Sequence, residues 1–145
     1  MKPKSAQNST LIELHVPSFE KAKKFYNKLG FKVVWENRPK GVDGYLVMKC
    51  NNNILCFWPG NKYVWDHEYF KYWPKNTKRG YAVEIVVMVD DVEKFYERVR
   101  KFSKVVEELK VQPWGLKDFR IEDPFGFYIR ITETHNILNS ENIIQ

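Results

Sequence analysis

A chain of 145 residues with 43% hydrophobic and 29% charged side chains has the length and balance of one folded domain, able to bury roughly two thirds of its unfolded surface, which excludes a disordered chain. Its net charge of +6 comes from Lys and Arg scattered along the sequence, without the basic stripe of a nucleic-acid binder, and no apolar run approaches the length of a membrane span. Two cysteines, Cys50 and Cys56, make neither a disulfide framework nor a zinc site, and the opening MKPKSAQNST lacks the apolar core of a signal peptide, so a cytoplasmic protein is expected.

Residues 1–9 are polar and read as a flexible N-terminus. From Thr10 to Val16 the sequence alternates as a strand does, with Leu11, Glu13 and His15 on one face and Ile12, Leu14 and Val16 on the other. Pro17 ends the strand and Ser18 has the chemistry of an N-cap. Phe19, Ala22, Tyr26 and Leu29 then recur at helical spacing until Gly30. A strand over Phe31 to Glu36, a loop over Arg38 to Gly44, and a hairpin of Tyr45 to Lys49 and Asn53 to Trp58 complete a first module, residues 10–60.

Residues 61–80 are a connector rich in aromatic and basic residues, including Tyr63, Trp65, Phe70, Tyr72 and Trp73. A second cycle, residues 81–133, repeats the order of the first. Tyr81 to Val89 is a strand, Asp90-Asp91 caps a helix with Val92, Phe95, Val99 and Phe102 as its buried stripe, a strand follows around Val105-Val106, and a hairpin closes the module. Residues 134–145 form a tail. Laid over one another, the halves match Ser18 with Asp91, Glu20 with Glu93, Lys21 with Lys94, and Leu55-Cys56-Phe57 with Ile129-Arg130-Ile131. The chain therefore reads as an α+β protein of two βαβββ modules. Helices can cover only one face of each sheet, and two such sheets, in one chain or across two, would wall a cleft with their open faces.

The closing stretch, Gln112 to Glu133, carries the most specific signals. Asp123-Pro124-Phe125-Gly126 supplies turn chemistry between two alternating strands. In the second of these, Ile129 and Ile131 share one face while Tyr128, Arg130 and Thr132 share the other. Elsewhere His15 projects with Glu13 and Leu11 from one face of the first strand. The aromatic residues exceed the needs of a small core, and flat rings along a cleft suit planar ligands. Trp58, on the face of Ile54 and Cys56, and Trp114 are the leading candidates, followed by Phe119, Arg130 and Met88. No Gly-x-Ser-x-Gly, phosphate loop or HExxH occurs, and no catalytic residue is assigned.

The Pro-Trp-Gly before the last hairpin, its Asp-Pro-x-Gly turn and the terminal Ile-x-Ile-Thr-Glu resemble the closing hairpin of the vicinal oxygen chelate superfamily, which includes glyoxalase I, extradiol dioxygenases, fosfomycin-resistance enzymes and bleomycin-resistance proteins. The resemblance runs from Leu11 to Glu133 and implies the glyoxalase/bleomycin resistance fold, with curved mixed sheets around a cleft. Enzymes of that superfamily hold a divalent metal at four strand positions, which fall here on Leu11, Cys56, Glu84 and Arg130. Arg cannot ligate a metal, so the resemblance is closest to the metal-free, bleomycin-resistance-like branch, as VPSFEKAKKFYNKLGF and DDVEKFYERV also suggest.

That branch implies a homodimer, without cofactor, that sequesters a small planar or aromatic molecule. Trp58, Glu84, Trp114, Arg130, His15, Phe119 and Met88 are the expected ligand-binding residues, and Glu84 and Arg130 are expected to face each other as an ion pair. Bleomycin is cationic, so a positively charged chain fits a neutral or anionic ligand better. The alternative is a metal-dependent lyase, isomerase or dioxygenase using Zn, Ni, Mn or Fe, with Glu84, His15 and Glu13 as first candidate ligands and Glu133 after them.

Overall fold

The computed structural model describes residues 10–38, 40, 44–60 and 62–138. The N-terminus expected to be flexible, parts of the 38–44 loop and the end of the tail lie outside the described residues. The chain divides into two compact units between Lys75 and Asn76. In the first, β1 (Glu13–Val16), α1 (Phe19–Lys28), β2 (Lys32–Asn37), β3 (Tyr45–Cys50) and β4 (Asn53–Pro59) form a sheet of order β1-β4-β3-β2. Helix α2 (Lys62–Asp66) and a 3-10 turn (Phe70–Tyr72) follow. In the second, β5 (Glu84–Val89), α3 (Val92–Val99), β6 (Lys104–Val111), β7 (Lys117–Glu122) and β8 (Tyr128–Glu133) repeat that order as β5-β8-β7-β6. In both sheets the first and last strands pair in parallel and the remaining pairs are antiparallel.

Local chemistry sets these elements. Ser18 is extended, and its hydroxyl oxygen accepts from Lys21 N at 3.2 Å to cap α1. Asp91 caps α3 in the same way, accepting from Lys94 N at 3.0 Å. Leu14 and Val16 of β1 are buried while Glu13 is exposed, as the alternation predicts. Helix α1 buries Phe19, Ala22, Phe25 and Tyr26, and the Tyr26 ring lies against Phe57 at 5.0 Å and Phe31 at 5.8 Å. No helix among the described residues is long and apolar enough to cross a membrane.

Helix α3 departs from expectation in two positions, and one is Phe102, which lies beyond the helix's last residue, Val99, and is only half-buried. Tyr96, not Phe95, joins Val92 and Val99 in the buried stripe, with its ring 4.9 Å from Phe119. Residues four and seven after Val92 point at the sheet, which leaves Phe95 at the flank, where the Arg98 guanidinium covers it at 4.7 Å. The apolar core of this unit is Ile85, Val87, Val89, Val92, Tyr96, Val99, Phe119, Ile121, Phe127, Ile129 and Ile131.

The turn between β7 and β8 is held by one carboxylate. Asp123 Oδ1 accepts from both Phe125 N and Phe127 N at 2.8 Å, and Gly126 takes the positive φ of +97° that closes the turn. Replacing Asp123 with Ala would leave two N–H groups without acceptors and is expected to cost about 1–3 kcal/mol in chemical denaturation. Asp123→Asn, which keeps an acceptor oxygen, should cost less.

Candidate functional site

Each sheet has one face packed by its helix and one free of it, and the candidate residues divide between these faces. On the open face of the first unit, Glu13, Cys56, Val47 and Trp35 are successive cross-strand partners. His15 pairs in register with Trp58. The Tyr45 hydroxyl donates to Glu13 Oε2 at 2.8 Å, and burial, helped by that bond and by Cys56, raises the phenol pKa well above its ordinary value. His15 Nε2 lies 3.4 Å from Glu13 Oε1, and its ring is 5.1 Å from Trp58 and 5.9 Å from Phe70 of the 3-10 turn. This face is aromatic, and it brings together His15 and Trp58. Leu11, by contrast, precedes β1 and is 58% exposed.

The corresponding row in the second unit is Val86, Arg130, Arg120 and Glu107. Arg120 is the centre of the face. Its Nε donates to Glu84 Oε1 at 2.6 Å and its Nη1 to Glu107 Oε2 at 2.8 Å, with Asp118 Oδ1 at 3.4 Å. Gln112 Nε2 ties the cluster together, donating to Asp118 Oδ1 at 2.6 Å and Glu107 Oε1 at 3.0 Å. Burial alone would lower the Arg120 pKa, but the hydrogen bond and charge of Glu84, with Asp118 and Glu107, outweigh it and raise the value. Hydrogen bonds from Lys110 and Gln112 draw Glu107 down from the ordinary 4.5 to about 2.

The expected ion pair between Glu84 and Arg130 is therefore not the one that forms. Arg120 and Arg130 are direct cross-strand partners, and like charges so placed repel. Arg120 takes the carboxylates, while Arg130 turns toward the turn between β6 and β7, its guanidinium carbon 5.7 Å from the Trp114 ring centroid. Arg130 Nε is buried without a hydrogen-bond partner, as is Asp118 Oδ2. Trp114 is 38% exposed on a short turn in which Gly115 N donates to Gln112 O and Gln112 N to Leu116 O.

Met88 is half-buried on the open face, paired with Thr132. Phe119 is corrected: it is fully buried on the opposite, helix-packed face against Tyr96 and cannot line an open surface. Alternation makes this necessary, since Asp118 and Arg120 flank it. The same alternation in KDFRIE was the available signal for Arg120 and Asp118, which sequence reasoning passed over along with Glu107, Gln112 and Tyr45. Charged side chains at alternate positions of a central strand rarely point into a helix-packed core.

A family model described as the Glyoxalase/Bleomycin resistance protein/Dioxygenase superfamily matches residues 9–131. No curated protein sequence matches the chain. Among solved structures, the hypothetical protein SA1046 from S. aureus is similar at 22% identity and a TM-score of 0.67, covering 90% of this chain and 97% of that one. A bleomycin resistance determinant encoded on the transposon Tn5 is similar at 17% identity and a TM-score of 0.64, over 90% of this chain and 100% of that one. A bleomycin-binding protein complexed with bleomycin is similar at 18% identity and a TM-score of 0.58, over 89% and 100%. At these identities the likeness speaks for a shared fold, two mixed four-stranded sheets with α-helices, and for the fold alone.

Removing Arg120 would take from Glu84 its ion-pair partner and leave the fully enclosed Asp118 with Gln112 alone. Arg120→Met is expected to destabilise the protein by about 3–5 kcal/mol, seen as a lower midpoint in denaturant. The depressed Glu107 pKa sets a pH dependence as well. Its contribution is complete above the unfolded pKa of about 4.5 and is lost as pH falls toward about 2, so the wild-type midpoint should fall across that window. In Glu107→Gln the fall across this window should be smaller.

Proposed function

Since the chain belongs to the glyoxalase/bleomycin resistance protein/dioxygenase superfamily, we propose that it is a metal-free binding protein that holds and sequesters a small planar or aromatic organic molecule. The observation that carries this reading is the content of the four positions at which the superfamily's enzymes hold their metal. Here they are Leu11, exposed and outside β1; Cys56, buried in β4; Glu84, already bonded to Arg120; and Arg130, a fixed cation. That set does not fit a divalent ion, which needs several unprotonated donors converging on one point. Among the described residues no three His, Cys, Asp or Glu side chains form such a group. Glu84, Glu107 and Asp118 converge instead on the Arg120 guanidinium.

Binding surfaces remain where the metal set is missing. Trp114, on the turn beside Arg130, and Trp58, in β4 beside His15, each offer a flat ring next to a polar group. The bleomycin-binding protein of like fold, which was solved with bleomycin, supports a small organic ligand as the class of partner. A homodimer in the cytoplasm completes the reading, and light scattering on purified protein would test the oligomeric state.

Five tryptophans make binding visible by fluorescence. A screen of planar organic molecules is expected to find ligands that quench, and Trp114→Ala should weaken binding about tenfold, the equivalent of about 1.4 kcal/mol. Quenching by no planar compound, or affinity unchanged in both Trp114→Ala and Trp58→Ala, would remove the reading. Activity requiring Zn, Ni, Mn or Fe would favour the metal-dependent lyase, isomerase or dioxygenase in its place.

A further inference from the structure

We propose that the ligand is a planar organic anion, and that Arg130 holds its carboxylate or equivalent acidic group while Trp114 receives its ring. This rests on the binding-protein reading and names the class of molecule bound. The starting point is the unequal treatment of two neighbouring arginines. Arg120 has Glu84, Glu107 and Asp118 around it, more negative charge than one guanidinium requires. Arg130, its cross-strand partner, has no carboxylate within ion-pair distance among the described residues, and its Nε is buried with no acceptor.

A guanidinium carries five N–H donors in one plane, and Trp114 can satisfy only a face of that plane. The in-plane edge is left to an acceptor. A buried N–H without one is costly, so such a group in a folded protein calls for an explanation by water or ligand. The shape of that edge matches a carboxylate, which accepts two parallel N–H bonds in the same plane.

The other acidic groups on this face do not neutralise Arg130. Glu84 and Glu107 are bonded to Arg120, and Glu107 also to Lys110 at 2.6 Å. Asp118 keeps one oxygen without a partner, but it is fully enclosed and its charge faces Arg120 and Gln112. Glu122, further along β7, is taken by Lys78 and Lys104. In the first unit the equivalent position is Cys56, so the cation belongs to the second unit only. The chain's net charge of +6 favours anions at longer range.

The test compares 2-naphthoate with 2-naphthamide, equal in ring and nearly equal in shape, by calorimetry on the full chain. Naphthoate is expected to bind at least tenfold more tightly than the amide. Arg130→Met should erase that preference, and Arg130→Lys, which keeps the charge without the fork, should retain part of it. Arg130→Met should also leave the free protein as stable as the wild type or raise its Tm, because it removes an uncompensated cation. A destabilised Arg130→Met, or a naphthoate preference that survives in both variants, would overturn the assignment. Equal binding of acid and amide would overturn the anion inference while leaving the binding-protein reading standing. Binding of neither, with no quenching by any planar compound, would overturn both.

Discussion

The enclosure of the Arg120 guanidinium by Glu84, Glu107 and Asp118 is the interaction on which the second unit's open face depends. It joins β5, β6 and β7 across the sheet, passing over β8, and Gln112 extends it to the end of β6. A charged group this enclosed is a poor source of net stability compared with apolar packing, yet it is expensive to break from one side. It therefore acts as a positional constraint. With Arg120 taking the carboxylates, Arg130 is left to Trp114, and the chemistry available on the face follows from that division.

The two units use one backbone plan for two different surfaces. Strand order is repeated, and the parallel pair is in the same register, with Glu13 opposite Cys56 in one and Val86 opposite Arg130 in the other. The helix-packed faces are alike in kind: Leu14, Val16, Leu46, Leu55 and Phe57 in the first unit, Ile85, Val87, Phe119, Ile129 and Ile131 in the second. The open faces are not. Where the first has Trp35, Tyr45 and Val47, the second has Glu107, Asp118 and Arg120. The fold is carried by the half of the residues that the duplication keeps apolar, and the function by the half that it leaves free to change.

Much of this was legible in the sequence because periodicity reports which face a residue occupies. Ser18 and Asp91 cap the helices they were expected to cap, Leu14 and Val16 are buried opposite Glu13 and His15, and Ile129 and Ile131 oppose Arg130. Periodicity does not report which partner a long side chain selects. Glu84 shares its face with two arginines, and its carboxylate is bonded to Arg120 rather than to Arg130. Phe95 and Tyr96 lie about 100° apart around α3, on opposite sides of Val92 at the i+3 and i+4 positions, and spacing alone allows either to extend the stripe. Phe119 was assigned to a surface for its aromatic character although its own strand places it inward. The short α2 and the 3-10 turn carry no sustained period, and the contact of Phe70 with His15 depends on the tertiary fold.

Under the proposed reading, Arg130 occupies one of the positions from which the superfamily's enzymes ligate a metal. The most direct test of that reading is metal content by mass spectrometry on protein purified without chelator, followed by thermal-shift titration with Ni²⁺, Co²⁺, Mn²⁺ and Zn²⁺. No stoichiometric metal and no stabilisation by any of the four ions is expected. Stoichiometric metal, or a shift present in the wild type and abolished by Glu84→Gln, would contradict the reading, because Glu84 would then be a ligand rather than the partner of Arg120.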